Sequence, residues 1–306
     1  MSGQSYYEQE RKCAIAYAAI DDTCFHLCTP ESYAVLFTSE NDYIGCMNII
    51  GLSSSVYKDI RIFTFQVMSN HLHLVVSGRE ERILLYFETI RRLLRAMLKS
   101  KGIETTLSGF KPQLHRIKDL ENLRNVIAYV NRNGFVVHPE FTPFSYPWGA
   151  NGYFFNPEAK HRYRDNASPS QLCFRRTAGR SRMFDKSEGV LVLDNVVSPM
   201  CFCDIETAES MFRDARHYFF CISKNVESNA EIASLIGESV YYSDEDMFSI
   251  LSSYIKKNYG INNPSQLPPA DKLIVARMMH NKYNASRKQI QRMLKLNDSV
   301  IGAMNL

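Results

Sequence analysis

Two segments of alternating apolar residues, Arg61–Met68 (RIFTFQVM) and His71–Ser77 (HLHLVVS), are separated only by the polar pair Ser69-Asn70. Such alternation is the mark of β-strands, and so short a break makes them neighbours in the chain's architecture. An amphipathic helix follows over Glu80–Ser100, where Ile83, Leu84, Phe87, Ile90, Leu94 and Met97 return to one face, and Gly102 ends it. Thr23–Thr29 reads as a further strand and Glu40–Tyr57 as a helix. A short strand near Gln113–Ile117 precedes a helix from Asp119, a good N-cap, to about Asn133, where Gly134 can close it. The order β-α-β-β-α-β-α favours an α+β fold, an antiparallel sheet covered by helices on one side.

Three regions are expected. Residues 1–160 hold the sheet and its helices, ending in a Pro-, Asn-, Gly- and aromatic-rich loop over 141–169 that runs into a linker. Residues 161–240 form a basic linker and an acidic intermediate region of ambiguous structure. Residues 241–306 look helical, with a Pro-rich break at Asn263–Pro269. The charge alternates in blocks. Residues 79–118 hold ten Lys/Arg against four acids, 160–186 eight against two, 187–246 three against twelve, and 272–295 seven against none. A net charge of +4 is too mild to imply nucleic acid, but basic blocks around an acidic one suit a polyanion binder. No apolar run is long enough for a membrane span, and the start of the chain lacks the apolar core of a signal peptide, so a cytoplasmic protein is expected. The eight Cys are then expected to be reduced thiols. Cys24-Phe-His26-Leu-Cys28 and Cys201-Phe-Cys203 lack the ligand spacing of structural zinc sites; on a strand, residues 24, 26 and 28 would share one face.

The sharpest chemical feature is Asn70-His71-Leu72-His73-Leu74. On a strand, His71 and His73 point to one face and Leu72, Leu74 and Val76 to the other. Two adjacent imidazoles can offer ring nitrogens to one divalent cation and leave positions open for substrate oxygens. A hydrogen-bonded pair of sheet histidines is the plainer alternative. The Asp119–Asn133 helix carries Leu123, Val126, Ile127 and Val130 as its apolar stripe, with Tyr129 and Asn133 four apart along its flank. Packed over the histidine face, it would bring a phenol and a carboxamide to the same cation, and a carbonyl oxygen is an ordinary ligand for Mg²⁺ or Mn²⁺.

FQVMSNHLHLVVSG resembles the His-hydrophobe-His ("HUH") strand of the one-tyrosine, single-strand DNA transposases of bacterial insertion sequences, including the REP-associated tyrosine transposases. IAYVNRNGFVVHPEFTPFSYPW is similar to that family's Tyr-x-x-x-Asn helix and its loop with a Tyr-Pro-Trp element, here Tyr146-Pro147-Trp148. The agreement covers about residues 20–155. The resemblance implies a ferredoxin-like or RRM-like HUH domain in a bacterial, cytoplasmic and nucleoid-associated enzyme. It makes His71, His73 and Asn133 ligands of Mg²⁺ or Mn²⁺, and Tyr129 the nucleophile. It further implies cleavage and rejoining of single-stranded or hairpin DNA ends through a 5′-phosphotyrosine link with a free 3′-hydroxyl. Two positions depart from the family, Ser69 and Gly134, where it usually has Pro; both were expected at element ends, where either residue serves. Tyr86 is a rival nucleophile, but its helix faces the opposite sheet surface, which makes it a core residue.

DNA contacts are expected from Arg91, Arg92, Arg95 and Lys99, which can track phosphates, from His115 and Arg116 near the scissile phosphate, and from Arg175 and Arg176. Near the C-terminus, Lys272–Tyr283, Ser286–Leu294 and a third stretch from Asn297 resemble a helix-turn-helix module, with Arg287, Lys288 and Arg292 as its DNA-facing cations. Monomer and homodimer both stay open. Two rivals remain. A rolling-circle or conjugative nickase shares the chemistry, but relaxases commonly carry a third histidine near the pair and no such cluster is expected here. A catalytically idle regulator would bind DNA through the C-terminal helices alone.

Overall fold

The computed structural model describes residues 3–31, 33–103, 105–137, 141, 144–169, 190–223, 244–261, 263–283, 285–297, 300 and 302. The chain divides into two compact units, 1–135 with 140–223, and 136–139 with 224–306.

The first unit follows the expected order with a helix added in front: α1 (Gly3–Ala18), β1 (Cys24–Cys28), α2 (Glu40–Ser54), β2 (Arg61–Val67), β3 (Leu72–Ser77), α3 (Glu80–Ser100), β4 (Gln113–Arg116) and α4 (Leu120–Val137). The strands make one antiparallel sheet in the order β2-β3-β1-β4. His26 lies opposite both Val75 and His115, and His73 opposite both Cys28 and Gln66. Residues paired across a ladder share a face. One face therefore carries His26, Thr64, Gln66, His73 and His115; the other carries Phe25, Leu27, Phe65, Leu74 and Val76.

The second of these faces is apolar and lies under α2 and α3. The Phe65 ring is 5.3 Å from that of Phe202, and Phe202 fills the space over Gly51 of α2, where a Cβ would lie 2.8 Å from its ring. The two helices pack on each other, and Tyr86 of α3 donates its hydroxyl to the Ile50 carbonyl at 3.1 Å. Tyr86 is fully buried there, as its expected core role requires.

The first face lies under α4. Asp119 caps this helix as expected, its Oδ1 accepting from the Asn122 N–H at 2.8 Å. Gly134, however, does not close it: the helix runs on to Val137. A Cβ on Gly134 would collide with the side chains of Gln66 and Tyr146, so the glycine serves the close approach of α4 to β2 and is not a terminator. Thr64 Oγ1 donates to Asn131 Oδ1 (2.5 Å), Asn131 Nδ2 donates to the Tyr218 hydroxyl (2.7 Å), and that hydroxyl donates to Asn151. This buried chain of hydrogen bonds ties sheet, helix and outer layer together.

The described residues 161–169 and 190–223 fall in the first unit. Two corrections follow. Within 141–169, expected as a loop, α5 (Pro157–Asn166) forms behind Asn156, whose side-chain oxygen accepts from the Ala159 N–H at 3.0 Å. Further on, β5 (Val192–Leu193) and β6 (Val196–Val197) join through Asp194-Asn195, both at positive φ as a tight hairpin turn demands. Beyond them, α6 (Ile205–Ser210) and α7 (Ala215–Ser223) cover the back of α4. There Arg124 donates to the Met211 carbonyl (2.5 Å) and pairs with Glu10 of α1 (2.6 Å). That second cover buries Arg124 and, through the Tyr218 hydroxyl, Asn131, whereas Tyr129 is buried against the sheet.

In the second unit α8 (Asp244–Tyr259), α9 (Pro269–Tyr283) and α10 (Arg287–Leu294) enclose a core that includes Met247, Leu251, Val275, Met279, Ile290 and Leu294. Ser286 and Gln289 cap α10 reciprocally, each side chain accepting from the other's backbone N–H at 3.2 Å. Lys295 ends it in the left-handed conformation. No helix among the described residues is long and apolar enough to cross a membrane.

Candidate functional site

Strand alternation delivers His71 and His73 to the face that α4 covers. Helical spacing then sets Tyr129 and Asn133 one turn apart above them. The His71 and His73 rings are 4.8 Å apart between centroids, and the Tyr129 ring is 5.8 Å from that of His73 and perpendicular to it. Asn133 Nδ2 lies 3.1 Å from His73 Nε2. The four residues singled out in the sequence thus meet at one place, from two elements far apart in the chain.

A third imidazole joins them. His26 of β1 stacks on His73 with a centroid separation of 5.3 Å and an interplanar angle of 12°. Its Nε2 is 3.2 Å from His73 Nδ1, and its ring also faces Tyr129 at 6.1 Å. His115 of β4 follows at 6.3 Å from His26. The expectation that no third histidine clusters with the pair is therefore corrected: the ladder brings one in from β1. The signal was the shared face of residues 24, 26 and 28, but only the strand register shows which strand they adjoin.

The hydrogen bonds define the tautomers. Asn70 Oδ1 can only accept, so His71 carries its proton on Nδ1, 2.7 Å away. The Asn133 amide nitrogen can only donate, so His73 accepts at Nε2, carries its proton on Nδ1 and donates it to His26 Nε2. His26 is then protonated on Nδ1, a buried group with no hydrogen-bond partner. Burial pushes the His73 pKa down to about 3 and that of His26 well below the usual imidazole value, so both are neutral near pH 7. His73 consequently holds its lone pair on Nε2, toward Asn133. A half-turn of the Asn133 amide would offer its carbonyl oxygen beside it. Among the described residues no group of three His, Cys, Asp or Glu is arranged to hold a metal ion. A cation here would draw on imidazole nitrogens, which favour the softer divalent metals, and on an amide oxygen, which suits Mg²⁺ or Mn²⁺.

Gln66, opposite His73 in the ladder, is a second residue not anticipated from the sequence. With its nitrogen toward the Val130 carbonyl and its oxygen 2.8 Å from the Gly134 N–H, its amide bridges two backbone groups of α4. It holds the helix carrying Tyr129 and Asn133 against the strand that adjoins the histidines.

The basic residues disperse. His115 joins the site, but Arg116 pairs with Phe25 in the ladder and so belongs to the opposite face. Arg91, Arg92, Arg95 and Lys99 lie on α3, also on the side away from the histidines. Arg91 is paired with Glu88 at 2.6 Å, and Arg95 and Lys99 line a shallow cavity of about 330 Å³ with Thr105 and Thr106. Arg287 and Lys288 stand exposed at the start of α10, and Arg292 pairs with Asp244 at 2.8 Å. Arg175 and Arg176, and most of the stretch expected to begin a helix at Asn297, lie outside the described residues. Compared with family models, with curated proteins and with solved structures, the chain matches none.

Proposed function

We propose that the chain is a metal-dependent tyrosine transposase that cuts and rejoins single-stranded or hairpin DNA, built on a ferredoxin-like HUH domain. The observation that carries this reading is the meeting of His71 and His73 with Tyr129 and Asn133. The strand order β2-β3-β1-β4 with two helices on one face agrees with the fold that the sequence resemblance implies.

His71, His73 and the Asn133 carboxamide would hold Mg²⁺ or Mn²⁺, which when bound supplies positive charge at the scissile phosphate. The Tyr129 oxygen attacks phosphorus, the bond to the 3′-oxygen breaks, and the 5′ side of the break stays on Tyr129. A 3′-hydroxyl reverses the step, so the phosphodiester is conserved without a nucleotide cofactor. His26 holds the His73 ring through Nδ1, and Gln66 holds the helix from which Tyr129 projects. The second unit supplies duplex contacts through the exposed cations of α9 and α10, where residues 272–295 contain no acid.

The test is incubation of the full chain with Mn²⁺ and end-labelled hairpin oligonucleotides bearing single-stranded flanks, read on denaturing gels. A covalent adduct that vanishes in Tyr129→Phe and in His71→Ala/His73→Ala supports the reading. An adduct that survives Tyr129→Phe overturns the assignment of the nucleophile. Duplex binding with no adduct under any divalent cation makes the protein a DNA-binding regulator instead.

A further inference from the structure

Away from the histidines, the first unit holds a cavity of about 480 Å³, within the range of small-ligand sites. Its wall includes Trp148, Met47 of α2 and Val196, and its mouth carries Glu40, Glu158, Asp194 and Arg162. Trp148 is half-buried, with one face covered by Tyr43 at a centroid distance of 5.0 Å and an angle of 20°. The indole is thereby fixed as a flat wall of the cavity. Arg162 is engaged with Asp194 at 2.5 Å. Glu40 and Glu158 each lie in the first turn of a helix, where the helix dipole favours a carboxylate, and neither has a cation partner among the described residues.

A planar aromatic wall with two acceptor carboxylates at the rim selects a flat ring that bears N–H donors and no phosphate of its own. We infer that the cavity takes an unpaired nucleobase with an exocyclic amine, adenine, cytosine or guanine, an inference that rests on the single-strand DNA reading above. Bases stack on aromatic side chains whatever their sequence, and a carboxylate accepts from an exocyclic amine, whereas thymine offers it only an N3–H flanked by two carbonyls that it repels. The rim charges keep the strand's phosphates outside. The chain places this cavity next to the site: Val67 donates its N–H to the Trp148 carbonyl at 2.8 Å, and Gly149 bridges to Gln66, the ladder partner of His73.

Trp148 is the sole tryptophan of the chain, so its emission reports on the cavity alone. The full chain, kept in EDTA, is titrated with 2′-deoxyadenosine, 2′-deoxycytidine, 2′-deoxyguanosine and thymidine, excited at the red edge of the indole band. Saturable quenching by the three amino-bearing nucleosides, with thymidine at least about tenfold weaker, is expected. The double variant Glu40→Gln/Glu158→Gln should remove that preference while leaving the circular dichroism unchanged. Equal response to thymidine, no saturable response to any nucleoside, or a response to N-acetyl-arginine amide alone overturns the inference. The measurement needs neither metal nor Tyr129. A protein that forms the adduct but shows no quenching loses only the cavity assignment; one that quenches but forms no adduct loses only the transposase reading.

Discussion

The two faces of the sheet are made by the same strands and differ in everything except backbone. On the face under α2 and α3, Phe65, Leu72, Leu74 and Val76 are buried among apolar neighbours that need only volume. On the face under α4, His26, Thr64, Gln66 and His73 are buried just as deeply, and nearly every polar atom has a partner of fixed direction. Burying polar groups is costly unless they are hydrogen-bonded, so the second face exists only as a connected network. Alternation with period two thus lets one strand serve apolar packing on one side and a polar hydrogen-bonded network on the other.

Four experiments would break or sharpen that contrast. The largest effect belongs to the apolar face: Leu74→Ala should cost about 2–5 kcal/mol in denaturant unfolding, from lost burial and the cavity left behind. A cost below about 1 kcal/mol would mean that this face is not the main core. Next is Gly134→Ala. In an isolated helix the change would stabilise by about 1 kcal/mol, but here the new methyl meets Gln66 and Tyr146 and should instead destabilise by about 1–3 kcal/mol. A stabilised variant would show that α4 does not press on β2 as described.

The third is His26→Leu, which leaves His73 Nδ1 without that acceptor and should raise the Mn²⁺ concentration needed for adduct formation by about 10–100-fold. An unchanged Mn²⁺ requirement would leave His26 as a packing residue. The last concerns acid. The metal-free fold holds His73 neutral, its pKa pushed down by burial, whereas an unfolded chain protonates it near 6.5. Stability is therefore complete above about pH 6.5 and falls as pH drops toward the folded value, by up to about 1.4 kcal/mol per pH unit for this group. His217, lowered to about 4 chiefly by burial and then by Arg213 and Arg124, adds in the same direction. Unfolding midpoints of the chain and of His73→Gln at pH 7.5 and 5.5 measure it; identical acid sensitivity in both would assign the loss elsewhere.

The apolar face was legible in the sequence because its information is local: alternation names the strands, and helical spacing names α3 nearly to the residue. The four central site residues were legible for the same reason, since strand and helix periods fix which side chains share a face. His26 and Gln66 were not, because their roles arise from the register between strands far apart in sequence. The fate of Gly134 was misjudged because a glycine after an apolar stripe looks like a stop, while its real constraint is the neighbour opposite. The arginines of α3 illustrate the converse. Clustered charge is visible in a sequence, but the side of the sheet on which it falls is decided by topology.

The pairing of residues 148–150 along β2 has a consequence for the molecule in company. A sheet normally presents two ribbon edges whose unused amides and carbonyls invite another copy. Here one edge is hemmed by the chain's own Trp148–Ala150 backbone, with Ala150 donating to Phe65 at 3.2 Å. The other edge, β4, is only four residues long, with Arg116 exposed at its end and Lys111 and Lys118 just outside it. Brevity and repulsion there do what covering does on the far side. Crowding many copies at one spot should leave them separate, instead of zipping them into fibres.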